Sequence, residues 1–250
     1  MESHETEILR TENISKSFGG VKALSQVSFT VMAGEKLAVL GPNGAGKTTL
    51  INVINGLLPE TEGEIYFLGD RVTKLSTHQR AGLGMSRSFQ VDTLFNRLSV
   101  LDNVLMSIHG HHRTCSNVFK SFTSYGHYHE TAQVALERIG LWEKQDHLVG
   151  LLSHGEKKKL EIVTSIVSEP RLLLLDEPNA GLTSEETMDV VQVIREMDSS
   201  TAVIIVAHDM EMVFSIADQI MVLNYGELIS KDDPKTIMSD PKVKECYLGA

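Results

Sequence analysis

The spacing of apolar residues changes period along this 250-residue chain. Residues Glu7 to Val31 alternate in short strand-like bursts, with Phe18-Gly19-Gly20 as a turn between them. Lys36–Leu40 is an unbroken apolar run of buried-strand length, and Thr48 to Leu57 reads as a helix stopped by Pro59. Gly63 to Leu68 alternates again before a Gly69-Asp70 turn, and Leu83 to Gln90 reads as a further strand. From about Val91 to Ile166 the period becomes helical. Val100, Val104, Leu105 and Ile108 share one face, and Val134, Leu136, Ile139 and Leu141 another, around a less regular stretch from His109 to Tyr128. Two further buried strands, Leu172–Leu175 and Ala202–Val206, flank an amphipathic helix over Ser184–Met197. That βαβ spacing predicts a parallel sheet, hence an α/β fold. Met210, Met212, Val213 and Ile216 read as core, and a strand pair about Tyr225-Gly226-Glu227 opens the tail.

Composition narrows the classes. The chain is 42% hydrophobic and 22% charged, with a net charge of -10, which argues against nucleic acid as the main partner and against adhesion to an anionic membrane. Cys115 and Cys246 stand far apart and outside any CxxC pair, which disfavours a disulfide framework or a cysteine zinc site. The stretch Met1 to Arg10 lacks an apolar core, and no apolar run approaches the roughly 20 residues of a membrane span. The expectation is a cytosolic protein that reaches a membrane only through a partner. The insert histidines (His109, His111, His112, His127, His129) lack supporting carboxylates and firm helical spacing, so they do not read as a metal site.

Three segments carry chemistry. Gly41-Pro42-Asn43-Gly44-Ala45-Gly46-Lys47-Thr48-Thr49 lies between the strand Lys36–Leu40 and a helix. Its glycines let successive N–H groups converge on a polyphosphate, Lys47 adds a charge for the outer phosphates, and the Thr48 hydroxyl suits Mg²⁺. Leu172-Leu173-Leu174-Leu175-Asp176-Glu177 ends a buried strand in two acids, with Asp176 placed to hold Mg²⁺ and Glu177 to deprotonate an attacking water. Leu152-Ser153-His154-Gly155-Glu156 opens a helix whose N-terminus is an anion site, and Lys157-Lys158-Lys159 behind it reads as a solvated face.

The order of these segments resembles the ABC ATPase family, which carries LSGGQ at the third position, followed by a basic helix and an LLLLDEP strand. The resemblance covers essentially the whole chain and implies a single ABC ATPase domain over 1–250. That domain has a P-loop core, an N-terminal antiparallel β-subdomain, a helical subdomain inserted at about 91–166 and a tail at about 226–250. It also implies roles. Phe18 would stack on adenine, Gln90 would touch Mg²⁺ and connect to the helical subdomain, and His208 would contact the γ-phosphate. Asn179 to Thr183 would cross a dimer interface. Ser153, His154, Gly155 and Glu156 would close on ATP held by a second ATPase subunit, identical or related, because each motif occurs once. His154 and Glu156 depart from the family's LSGGQ, and Thr183 stands where many members carry aspartate.

Ser86-Arg87-Ser88-Phe89-Gln90, Leu94 to Val100, the long insert and the ending Tyr247-Leu248-Gly249 are similar to the ATPases of branched-chain amino acid importers. That likeness implies integral membrane permease subunits, a substrate-binding protein acting through them, and a place on the inner face of the cell membrane. Urea importers share the LSHG form with Leu160-Glu161-Ile162, and lipopolysaccharide-export ATPases share the terminal Tyr-Leu-Gly. A soluble ABC protein of translation or DNA repair is the reading from another class. It is disfavoured because the former carry two ATPase units per chain and the latter long coiled coils or zinc inserts.

Overall fold

The computed structural model describes residues 6–88, 94–111 and 126–248. The chain separates into two compact units, one of residues 1–85, 171–177 and 198–250, the other of 86–170 and 178–197.

The first unit is built on two sheets. Strands β1 (Glu7–Phe18) and β2 (Val21–Met32) turn at Gly19 and Gly20. With β4 (Glu62–Phe67) and β5 (Asp70–Arg71) they form an antiparallel sheet in the order β2-β1-β4-β5. The sequence bursts are therefore two long strands. The second sheet runs β10 (Glu227–Asp232), β9 (Gln219–Asn224), β3 (Lys36–Leu40), β8 (Ala202–Val206), β7 (Leu172–Asp176), β6 (Met85–Arg87). Pairs β3/β8, β3/β9 and β7/β8 are parallel, and β9/β10 is an antiparallel hairpin. Strands buried on both faces need continuous apolar sequence, which LLLL and AVIIV supply. Helix α1 (Lys47–Ile54) buries Leu50, Ile51, Val53 and Ile54 in a core that includes Leu37, Val39, Leu172, Leu174 and Ile204. Helix α7 (Met210–Ile216) buries Met212, Val213 and Ile216. Met210 opens that helix and stays 38% exposed, so it is not a core residue. Helices α8 (Pro234–Ser239) and α9 (Pro241–Leu248) follow β10.

Helix α2 (Thr77–Gly82) is too short for a periodic signal, but its capping box is complete, with Ser76 accepting from Gln79 N and the Gln79 side chain accepting from Ser76 N. The strand expected over Leu83 to Gln90 begins later, as β6, because Leu83 and Gly84 close α2 by donating back to Arg80 and Ala81 carbonyls; residues 89 and 90 lie outside the described residues. Arg80, 1% exposed, donates to the carbonyls of Leu75, Thr73, Val53 and Ile54, and so caps the C-terminal end of α1 with a positive charge. Burial lowers its pKa, an effect that the Glu60 carboxylate opposes.

The second unit is helical. Helix α3 (Val100–His111) buries Val100, Val104, Leu105 and Ile108 as its period predicts. Helix α4 (Gly126–Arg138) buries Ala132 and Leu136, and Ile139 and Leu141 follow them into the core. Val134 is half exposed, because it lies on the opposite side of α4 from the 132–136–139 stripe. Helices α5 (His154–Ile166) and α6 (Ser184–Arg195) complete the unit.

Replacing Arg80 with Met takes a charged donor from four carbonyls, of which Val53 O keeps the Gly56 N–H, at about 1 kcal/mol or more for each one left buried without a donor. The expected loss of about 3 kcal/mol is read by urea denaturation, and an unchanged midpoint would contradict the assigned role of Arg80.

Candidate functional site

In the first unit, β3 runs into the glycine-rich loop. Gly41 has φ 151°, and a Cβ there would stand 2.1 Å from the Leu223 carbonyl oxygen; Gly46, at φ 102°, would meet the Ala23 carbonyl oxygen at 2.5 Å. Main chain on both flanks therefore requires glycine at these two positions. Gly226 N donates to Ala45 O at 3.0 Å, so the β9–β10 turn holds the loop from behind. The other side is open: a Cβ on Gly44 would meet nothing within 4 Å, and Asn43, Gly44 and Thr48 are exposed. Gly46 is the N-cap of α1 and supplies no side-chain acceptor, so the first-turn N–H groups and the positive end of the helix face this hollow. Lys47 is buried and folds back over the loop, donating to Gly41 O at 2.8 Å and Pro42 O at 3.0 Å. Burial lowers its pKa, while Glu177 and Asp176 act to raise it. Those carboxylates lie within electrostatic reach of the lysine.

Parallel pairing of β7 with β8 brings two more side chains together. Asp176 pairs with Val206, so both strands end at one level. Glu177 N donates to Val206 O at 2.8 Å, and Glu177 Oε1 stands 3.1 Å from His208 Nε2. Both side chains remain 46% exposed. Glu177 holds φ 50°, a left-handed conformation that costs a side-chain-bearing residue roughly 1–2 kcal/mol. Phe18, at the end of β1, presents a half-exposed ring with Lys16 Nζ 5.1 Å from its centre.

The oxygen donors here suit Mg²⁺. The exposed Thr48 hydroxyl and the half-buried Asp176 carboxylate are hard ligands, and among the described residues no group of three His, Cys, Asp or Glu forms a cage. Few protein ligands, with the remainder from water and phosphate, is the usual arrangement for this ion. Gln90, the other expected Mg²⁺ contact, lies outside the described residues.

In the second unit Ser153 is the N-cap of α5. Its hydroxyl accepts from Glu156 N at 3.2 Å, and Glu156 Oε2 accepts from Ser153 N at 2.9 Å. Lys144 pairs with the other Glu156 oxygen. Burial works against the Glu156 charge, but the Lys144 and Ser153 hydrogen bonds outweigh it and hold the carboxyl below its usual range. The cap therefore stabilises the fold fully above the unfolded-state pKa and is lost as pH falls through the lower folded value. Glutamate thus serves where the family carries glutamine.

The next two residues interlock with the segment before α6. A Cβ on Gly155 would stand 2.1 Å from Glu186 Oε1, and a Cβ on Gly181 would stand 3.0 Å from both Cδ2 and Nε2 of His154. Glu186 closes its own capping box with Thr183, accepting from Thr183 N at 2.8 Å. The Asn179–Thr183 loop and the Ser153–Glu156 turn are thereby packed together. The lysine run is not a solvated face. Lys158 is buried and pairs with Glu161 at 3.2 Å, Lys159 pairs with Asp189 at 3.1 Å, and Lys157 donates to Gly150 O. The acids that pair with Lys158 and Lys159 lie one turn along α5 and on α6.

Residues 24–180 match the family model described as ABC transporter. This chain belongs to the ABC transporter family. It is 34% identical to the high-affinity branched-chain amino acid transport ATP-binding protein BraF of Pseudomonas aeruginosa, over 97% of this chain and 98% of the relative. It is also 34% identical to LivG of Escherichia coli, the ATP-binding protein of the same transport activity, with the same coverage. The fold superposes on a nucleotide-free ATP-binding cassette from an ABC transporter, with TM-score 0.82 and 33% identity over 98% of this chain and 100% of the other. The ADP conformation of the cassette MJ1267 gives the same TM-score and identity over 98% and 99%. The ABC ATPase fold expected from the motif order is therefore the fold of this ABC family member.

The Gly181→Ala change strains a residue at φ 78° in any background, but it meets the imidazole only when His154 is present. Its cost is expected to fall by about 1 kcal/mol in a His154→Gly background, measured as a double-mutant cycle by chemical denaturation; additive costs would contradict the packing of His154 on Gly181.

Proposed function

We propose that this chain is the ATP-binding and hydrolysing subunit of an ABC importer for branched-chain amino acids, acting as an ATP-closed pair beneath separate membrane permeases. The observation that carries the ATPase chemistry is the Glu177–His208 pair, 3.1 Å apart at the ends of adjacent strands and within electrostatic reach of Lys47 in the glycine-rich loop. Support for the cargo is the likeness to BraF and LivG over nearly the full length of each chain. No described helix is long and apolar enough to cross a membrane, so passage of substrate is assigned to partner subunits at the inner face.

In this reading the N–H groups of Gly44 to Thr49 and the Lys47 ammonium bind the β- and γ-phosphates, and Phe18 stacks on adenine. Lys47 Nζ spends two of its three N–H donors on the Gly41 and Pro42 carbonyls, which pins it over the loop and leaves one donor for phosphate. Thr48, Asp176 and Gln90 would hold Mg²⁺, which would supply positive charge against the phosphates when bound. Glu177 takes the proton of the attacking water, and His208 donates to the γ-phosphoryl oxygens and orients Glu177. The Ser153 hydroxyl and Gly155 N–H of a second ATPase subunit close the site. Ser153 accepts from Glu156 N and keeps its own hydrogen for phosphate. His154 and Glu156 complete that closing surface, and hydrolysis releases it.

Glu177→Gln is expected to leave ATP affinity unchanged and to lower kcat by about 10²–10⁴-fold; near-normal turnover removes Glu177 as the base. For the cargo, the chain purified with its membrane subunits is reconstituted, and uptake of labelled leucine, isoleucine and valine is compared with urea. ATP-dependent uptake of urea, or export of lipid, would overturn the amino-acid assignment.

A further inference from the structure

The first unit holds a cavity of about 460 Å³ bordered by the glycine-rich loop, the β9–β10 hairpin and α9. Small-molecule sites usually span about 300–1,000 Å³. Buried Val243 anchors α9, and Asn224 Nδ2 donates to Cys246 Sγ at 3.3 Å, which ties that helix to the hairpin across one wall. Two exposed charges on α9, Lys242 and Glu245, line the cavity one turn apart. Neither enters an ion pair among the described residues. Asp240 accepts from Lys242 N at 2.8 Å and feels the ammonium charge, but does not pair with it. The helix gains little from either group. Lys242 stands in its first turn and Glu245 in its last, against the macrodipole, and Lys before Glu is the weaker order for pairing along a helix.

The remaining wall is apolar, from Pro42, Ile229 and Tyr225. Tyr225 and Gly226 turn the hairpin with φ 47° and 79°. Two-residue turns with positive φ at both positions ordinarily open with Asn, Asp or Gly, because a larger side chain is strained there. Tyr225 accepts that strain and still leaves its ring 84% exposed, so the core does not account for it.

An occupant that uses this lining brings an anion to Lys242, a cation to Glu245 and an apolar body to the third wall. Glu245 repels phosphates, and a peptide carries its end charges far apart. A free α-amino acid bears both charges on groups joined to one carbon atom, with the side chain beside them. We propose that this cavity binds a free aliphatic α-amino acid, its carboxylate on Lys242, its ammonium on Glu245 and its side chain against Pro42, Ile229 and the Tyr225 ring. The space is larger than such a ligand needs, and bridging waters complete the polar contacts at small cost. Pro42 joins this site to the phosphate loop, since its carbonyl accepts from Lys47 at 3.0 Å. Occupancy and ATP affinity are therefore coupled, by one factor in both directions. Reading the site as a sensor of imported cargo rests on the function proposed above; the binding chemistry does not.

The test titrates the full-length chain with L-leucine and with three analogues that each lack one group: glycine, isocaproate and isoamylamine. Amide resonances of Tyr225, Gly226 and Cys246 are followed. Leucine is expected to saturate at about millimolar concentration, with each analogue weaker by about tenfold or more. Lys242→Ala and Glu245→Ala, at exposed positions, are expected to weaken leucine by about tenfold. Lys242→Ala should leave isoamylamine unchanged, and Glu245→Ala should leave isocaproate unchanged. Tyr225→Gly relieves the turn and weakens leucine without loss of fold. Saturating leucine is expected to change the ATP Kd by about threefold or more in the wild type but not in Lys242→Ala. Absent or non-saturable leucine shifts, equal binding of any analogue, normal leucine binding in either charge variant, or an unmoved ATP Kd overturns the proposal. In the reconstituted complex, import of leucine by a chain that does not bind it removes this site and leaves the importer reading intact. Leucine binding by a chain whose complex carries urea removes the cargo reading and leaves the site standing.

Discussion

Parallel register among β3, β8 and β7 is the constraint from which the first unit's chemistry follows. Because β3 pairs with β8 and β8 with β7 in one direction, the three strands reach their carboxyl ends at the same edge. Gly41 and Glu177 follow two of those ends directly, Asp176 is the last residue of β7, and His208 lies two residues past β8. A one-residue slip of β7 against β8 would turn Asp176 to the other face of the sheet and separate Glu177 from His208. The apolar runs LLLL and AVIIV, buried on both faces, tie that register to the core, so hydrophobic burial positions groups that are themselves polar and half exposed.

Much of this was legible. The glycine-rich loop, the Asp176-Glu177 strand end and the βαβ spacing are local patterns, and local patterns survive folding. What failed was set by the face that each helix buries and, for Arg80, by partners distant in sequence. Val134 and Met210 looked like core because they are apolar, but the faces of α4 and α7 leave them partly exposed. Lys158 looked solvated because it sits in a basic run, yet packing of α5 buries it against Glu161. Arg80 carried no motif at all; its role comes from four carbonyls, two of them more than twenty residues upstream. Helix α2 escaped the periodicity, although its Ser76-x-x-Gln79 cap could have been read directly.

The second unit shows what the departures from the family pattern accomplish. Glu156 keeps the reciprocal cap that glutamine would make and gains Lys144 as a counter-ion. His154 fills space over Gly181, where the family's glycine would leave room. Together with Glu186 over Gly155, these contacts pack a turn and a loop of quite separate sequence against one another.

The clamp on the glycine-rich loop has a bearing on biogenesis. Gly41 is closed from one side by the Leu223 carbonyl, and Ala45 accepts from Gly226, both in or beside the last hairpin of the sheet. Strand β3 lies between β8 and β9, strands made more than 150 residues later. A ribosome that has released the loop has therefore made the Ala23 wall at Gly46 but not the hairpin that backs Gly41 and Ala45. The conformation of the loop is thus a late product of synthesis, completed only after β9 and β10 have been made.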